Sequence, residues 1–163
     1  MEIIHWIVDI ILLALLIIFS LDGLTFLWVR RVYQLAYHFV IMTKPRWVIM
    51  IDVDGFKSIN DNYGHRVGDK VLRKIGLLII KESRLRGFRY GGEEFVVLLP
   101  LTGLEKAITL AERIRRKVGM INIDGLRVTV SVGIGEYEGE ADKALYQAKL
   151  NGKNQVEIFV GPE

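Results

Sequence analysis

Two short acidic clusters, one ending a run of β-type sequence and one turning it, constrain this chain more than any other feature. Trp47 to Val53 is almost continuously apolar and runs into Asp52-Val53-Asp54-Gly55. Further on, Arg89–Tyr90 and Phe95–Leu99 flank Gly91-Gly92-Glu93-Glu94. The first pattern predicts a buried strand entered through Pro45. The second predicts a hairpin whose turn places its glycines at positive φ. Alternate strand residues share a face, so Asp52 and Asp54 point together while Val53 points into the core. If the hairpin pairs beside the first strand, Glu93 comes close to Asp52. Carboxylates that close repel unless a cation lies between them. Oxygen donors with room for phosphates favour Mg2+, or Mn2+ in its place. The chemistry expected is metal-assisted phosphoryl or nucleotidyl transfer. The plainer reading is surface acids at loop starts, where Asp and Gly are common.

Around these clusters, helical and strand patterns alternate. The sequence predicts an amphipathic helix over 22–42 behind an Asp22 cap, and a helix from Gly68 to Arg86. Leu104 to Val118 is predicted helical, Val128 to Gly133 a strand, Ala141 to Asn151 a helix and Gln155 to Val160 a last strand. The order β-α-β-β-α-β implies an α+β fold, a ferredoxin-like or palm-type antiparallel sheet flanked by helices.

Between the acidic clusters, residues 56–69 are too polar for a core and too ordered in their glycines for a random linker. Lys57 is a point charge suited to phosphate. Asn60 offers donor and acceptor, and Asp69 two acceptors, a pair able to read a purine edge. Guanine presents N1–H and N2–H2 donors to a carboxylate, whereas adenine does not. A helix-capping loop with Asp61 or Asp69 as N-cap explains the same residues. Lys149 and Lys153 are spaced i,i+4 near a helix end with Gly152 as its stop, where cations complement the helix dipole without any ligand.

The N-terminus differs in kind. Ile3 to Leu21 is apolar and unbroken from Ile10 to Phe19, with Asp9 and His5 in its outer half. Its length is just short of the ~20 residues of a spanning helix. It lacks the basic start of a secretory signal, and basic residues appear only at Arg30, Arg31, Lys44 and Arg46. The expectation is one N-terminal apolar helix, residues 1–21, followed by a domain over 22–163 on the cytoplasmic side. A dimerisation helix fits the same stretch, since Ile4, Ile7, Ile11, Ala14 and Ile18 follow a 3–4 spacing, and so does the remnant of a longer sensor. The net charge of +3 includes Glu2 and Asp9, so residues 22–163 carry 22 basic and 17 acidic side chains. That modest excess suits a nucleotide but equally an ordinary solvated surface. With no cysteine, disulfides, thiolate metal sites and a cysteine nucleophile are excluded.

Taken together, these residues resemble the GGDEF diguanylate cyclases. Arg89-Tyr90-Gly91-Gly92-Glu93-Glu94-Phe95 is similar to the family signature in its GGEEF form. It stands with Ile51-Asp52-Val53-Asp54-Gly55-Phe56-Lys57, Asn60-Asp61, Gly64-His65 and Gly68-Asp69 before it. Thr129 to Ile134, Ala141 to Lys149 and Gly152-Lys153-Asn154 follow it. Several linked motifs in order, over roughly residues 22–160, are far more specific than one short pattern. The resemblance implies condensation of two GTP into cyclic di-GMP with release of two pyrophosphates by a homodimer. It implies Asp52, the Val53 carbonyl and Glu93 as ligands of Mg2+, and Asn60 and Asp69 as guanine readers with His65 beside them. Phe56-Lys57 and Lys149/Lys153 would hold the triphosphate, and Glu94 would assist deprotonation of the attacking hydroxyl.

The implied partner is GTP rather than nucleic acid. The implied location is the bacterial inner membrane, with the sensing input carried by residues 1–21 or a separate sensor protein. The alternative is a catalytically weak domain that binds GTP or cyclic di-GMP, and a synthase of relaxed base choice ranks below it. Three departures stand out. In Asp22-Gly23-Leu24-Thr25-Phe26-Leu27-Trp28-Val29-Arg30-Arg31, Phe26 and Val29 replace the usual Gly and Asn, which suggests a reshaped opening turn or a continuous helix. The R-x-x-D inhibitory motif is replaced by Glu82 and Leu85, so no inhibitory site is expected. The connection from Gly133 to Ala141 is short.

Overall fold

The computed structural model describes residues 19–44 and 46–159. Residues 1–18 of the expected apolar helix over 1–21, Pro45 and the end of the last strand at Val160 lie outside these, and Leu21, at the end of that stretch, is not helical but bridges to Trp28. Among the described residues, no helix is long and apolar enough to cross a membrane. The elements are β1 (Trp28–Val29), α1 (Arg30–Val40), β2 (Arg46–Val53), α2 (Phe56–Tyr63), α3 (His65–Ser83), β3 (Gly87–Arg89), β4 (Glu94–Pro100), α4 (Leu104–Gly119), β5 (Asn122–Ile123), β6 (Leu126–Arg127), β7 (Val130–Gly135), α5 (Glu138–Leu150) and β8 (Val156–Ile158).

Six strands form one sheet in the order β1-β3-β4-β2-β7-β8. The centre is antiparallel, as expected, but both edge pairs, β1 with β3 and β7 with β8, are parallel. β2 lies in the middle with helices on both faces, which explains its apolar run. Ile49, Ile51 and Val53 point into a core with α2, α3 and α4, while Val48 and Met50 point to a smaller core with α1 and α5. The fold is thus a mixed α+β sheet flanked by helices.

Four expectations are corrected. No helix follows Asp22. Its carboxylate accepts from the amide and hydroxyl of Thr25 at 2.8 and 2.7 Å, folding 22–25 into a turn. Phe26, standing where the family has glycine, takes a left-handed φ of 60°, at a cost of about 1–2 kcal/mol. The helix begins only at Arg30.

The polar stretch 56–69 is helical rather than a loop, because Phe56 and Ile59 bury one side of α2. Neither Asp61 nor Asp69 caps a helix; Gly55 and Gly64 occupy the N-cap positions of α2 and α3. The signature glycines do not have positive φ. A Cβ on Gly91 would stand 2.5 Å from Glu94 Oε2, the mobile end of a side chain that can turn aside, and one on Gly92 would meet nothing. Lys153 lies beyond α5 at φ 64° rather than one turn along it, although Gly152, at φ 110°, does end the helix.

The short connection is real and shorter than expected, two residues between β7 and α5. Glu140 closes it by accepting from the amides of Glu136 and Tyr137 at 2.9 and 3.2 Å. Gly133 makes it feasible: a side chain there would collide with the Ala141 carbonyl and the Leu145 amide, so the helix backbone rests directly on the strand.

Candidate active site

The β2–β4 register brings the two acidic clusters together. Asp52 pairs with Glu94, and the Val53 amide donates to the Glu93 carbonyl at 3.3 Å. Asp52, Glu94, Val48 and Met50 share the α5 side of the sheet by alternation, while Val53 is buried on the other. From the last turn of α5, Lys149 Nζ reaches Asp52 Oδ2 at 2.9 Å. Asp52 is 7% exposed. Burial pushes its carboxyl above the ordinary range, with Asp54 adding to the shift and Lys149 and Lys153 opposing it. The Glu93 carboxyl is also raised, first by burial and then by the charges of Asp52 and Glu94, against Lys149. Both shifts come first from burial, which makes the charged carboxylates costly at this corner.

Asp54 does different work from the role its motif suggests. It accepts from Thr129 Oγ1 and Ser131 Oγ at 2.6 Å each and from the Asn154 amide at 3.1 Å. This knot pins the loop carrying Lys153 to the end of β2. Thr129 and Ser131, alternating on one strand face, were the sequence signal for it.

A cavity of about 200 Å3 lies at this corner, lined by residues 52–57, Glu93, Lys149 and Lys153. It unites Asp52, Val53, Phe56, Lys57, Glu93, Lys149 and Lys153. Glu94 instead faces a neighbouring 620 Å3 cavity that it shares with Lys149 and the outer side of α5. Asn60, His65 and Asp69 lie outside both, at the α2–α3 corner. The Asn60 side chain rests against Gly68, next to Asp69, and a Cβ on Gly68 would also stand 3.2 Å from the Phe56 ring. Phe56 is therefore the wall between the acidic cavity and that corner. His65 and Asp69 are exposed.

Among the described residues, no three Asp, Glu or His side chains form a ready-made metal cage. The donors present are two carboxylates and a main-chain carbonyl. That set suits a small hard cation keeping water or phosphate oxygens in its other positions.

A second polar cluster was not foreseen from the sequence. Tyr33 and Tyr90 donate their hydroxyls to Glu138 Oε2 and Oε1 at 2.6 and 2.7 Å, and the Glu138 amide donates to Tyr37 Oη at 3.1 Å. Arg30 donates to Tyr90 Oη at 3.2 Å and lies 4.4 Å above its ring. Glu138 thus ties α1, the residue preceding the signature glycines and the first turn of α5. On the other side of the hairpin, Arg89 binds Asp22 at 2.9 and 3.0 Å and donates to the Gly92 carbonyl at 2.8 Å. No periodicity links such distant residues in advance.

Residues 20–155 match the family model for the diguanylate cyclase, GGDEF domain. Diguanylate cyclase DgcM of Escherichia coli K12 is 46% identical over 121 residues, which are 67% of this chain and 30% of DgcM. The chain thus spans about a third of the length of the curated relatives it matches. The coiled coil and GGDEF domain of DgcB from Caulobacter crescentus, solved in complex with c-di-GMP, superposes with a TM-score of 0.86 at 26% identity, covering 96% of this chain and 94% of that one. Diguanylate cyclase SiaD of Pseudomonas aeruginosa, solved with its activator SiaC, gives 0.81 at 32% identity, covering 96% of this chain and 68% of SiaD.

Proposed function

The chain belongs to the GGDEF diguanylate cyclase family, and on that premise we propose that it condenses two GTP into cyclic di-GMP, releasing two pyrophosphates. The observation that carries this is the convergence of Asp52 and Glu93 opposite Lys149 around one cavity. Each domain supplies one GTP, so two copies face each other as a homodimer. Asp52, Glu93 and the Val53 carbonyl hold Mg2+, or Mn2+ in its place. When bound, the cation neutralises phosphate charge and acidifies the attacking 3′-hydroxyl.

The remaining work belongs to the chain's own groups. Lys57, Lys149 and Lys153 donate to the triphosphate and fix it for in-line attack. Asp69 accepts from the guanine N1–H and N2–H2, and Asn60 completes the edge. His65 borders that pocket and Phe56 walls it. Glu94 takes the hydroxyl proton. Residues 22–163 form the catalytic domain. Residues 1–21 anchor it at the bacterial inner membrane, with the domain in the cytoplasm, and input reaches it through that segment or a separate sensor protein. No product-inhibition site is expected at Glu82 and Leu85, where the R-x-x-D residues are replaced.

The test is incubation of the full chain with GTP and Mg2+, with the products resolved by chromatography. Cyclic di-GMP that disappears in Glu93→Gln supports the proposal. GTP binding without turnover, at concentrations where dimers form, would replace it with the weak binding module.

A further inference from the structure

Helix α1 is apolar on two sides. Val32, Tyr33, Ala36, Tyr37 and Val40 face the sheet and are packed there. Leu35 and Phe39, spaced i, i+4, form an apolar stripe on the outer side of the helix, with Met42 in the turn just after it; they are 67%, 73% and 76% exposed. A surface helix normally puts charged or polar residues there.

The charge around the stripe is one-sided. No Asp or Glu occurs between Asp22 and Asp52; Arg30 and Arg31 stand exposed at the start of the helix, Arg30 leaning on Tyr90, and Lys44 stands exposed past its end, 3.9 Å from Glu136. The chain also enters the domain at this corner. The Val29 amide donates to the Ser20 carbonyl at 2.9 Å, and Leu21 bridges to Trp28 immediately before the first turn of α1. Residues 20–21 thus enter the domain at the start of α1, and Phe19, just before them, is 81% exposed.

We infer that the outer face of α1 docks on the surface of an anionic lipid bilayer, with Leu35, Phe39 and Met42 among the acyl chains and Arg30, Arg31 and Lys44 against the headgroups. An apolar stripe with cations in excess around it is the composition of a helix lying in the membrane plane. A second copy of the chain fits less well, because two such faces would bring two sets of Arg30, Arg31 and Lys44 together, with Glu136 beside each Lys44 as the one nearby counter-charge among the described residues. The inference rests on the reading of residues 1–21 as a membrane anchor, and adds to it that the catalytic domain lies against the lipid.

The absence of cysteine allows single-cysteine labelling of the full chain. Phe39→Cys, Leu13→Cys and Thr109→Cys, the last on the exposed side of α4, carry an environment-sensitive fluorophore in phosphatidylcholine–phosphatidylglycerol vesicles containing a lipid-borne quencher. Labels at positions 39 and 13 should be quenched several-fold more than the label at 109, and position 39 should lose most of its quenching in pure phosphatidylcholine. Quenching at 13 but not 39 overturns the docking and leaves the anchor. Quenching at neither overturns both. A blue shift at 39 that grows with protein density, without lipid quenching, assigns the face to a second copy and overturns the inference. Quenching at 39 that is equal in both lipids overturns the anionic selection.

Discussion

Replacing Glu138 with alanine separates the tyrosine cluster from ordinary packing. The carboxylate accepts two short phenol bonds, at 2.6 Å from Tyr33 and 2.7 Å from Tyr90. Without it, Tyr90 can turn to water and keeps Arg30, but the Tyr33 hydroxyl belongs to a residue only 1% exposed. A buried hydroxyl left without a partner costs about 1–3 kcal/mol, and the loss of a charge-assisted bond adds to it. Bonds that share one carboxylate are not additive, so the expected total is about 2–3 kcal/mol. Urea unfolding of the full chain, followed by far-ultraviolet circular dichroism, measures this. In a Tyr33→Phe background the same substitution should cost only about 1 kcal/mol, because no hydroxyl is stranded. Equal costs in the two backgrounds would refute the reasoning. The cluster also sets a pH dependence. Burial, and then Glu138, push the Tyr33 phenol well above its ordinary value. Unfolded phenols ionise near about 10, so above that pH the unfolded state sheds a proton that the folded state keeps. Stability must then fall as pH rises, by up to about 1.4 kcal/mol per pH unit for this one group. Tyr33→Phe should flatten that alkaline slope.

Gly92→Ala should fold with stability within about 0.5 kcal/mol of the parent, since its Cβ meets nothing. A loss of more than about 1 kcal/mol by urea unfolding would mean that the turn is packed more tightly than its open surroundings indicate. Gly133→Ala places a Cβ on the backbone of Ala141 and Leu145. It should cost about 1–3 kcal/mol or more by urea unfolding, and a neutral result would mean that α5 can lift from the sheet. Around Asp22, burial raises the carboxyl, but the Thr25 bonds and Arg89 outweigh it and hold it below the ordinary carboxylate range. Its stabilising share is therefore present above about pH 4 and lost as pH falls through the lowered value. Asp22→Asn should show a shallower acid unfolding slope than the parent.

The sheet and its acidic corner were legible because both rest on local patterns. Strand β2 announces itself by an apolar run closed by a carboxylate, and pairing with the hairpin followed from its two flanking strands. Seven of the expected site residues then fall around one cavity because strand register and the end of α5 carry them there. The rest depended on contacts between distant positions. Asp22 resembled a helix cap, but its partner was Arg89, sixty-seven residues away. The 56–69 stretch resembled a loop because only Phe56 and Ile59 of α2 are buried and its remaining positions are polar. The glycines of the signature resembled turn residues of positive φ, yet neither has one. Glu138 has no local pattern, since its three tyrosines come from α1 and from the hairpin.

The direct seat of α5 on Gly133 makes that helix a lever. Its fulcrum is the Ala141–Leu145 stretch, where backbone meets backbone. Glu138 lies about five residues to one side of the pivot and Lys149 about six to the other, arms of roughly 7 and 9 Å at 1.5 Å per residue. A tilt that moves the Glu138 end by about 1 Å therefore swings Lys149 by slightly more in the opposite sense. The ion pair with Asp52, 2.9 Å long, must then lengthen or be retaken by another Lys149 rotamer. A push on α1, delivered through Tyr33 and Tyr37, would reach the acidic corner as a displaced lysine without any strand having to move.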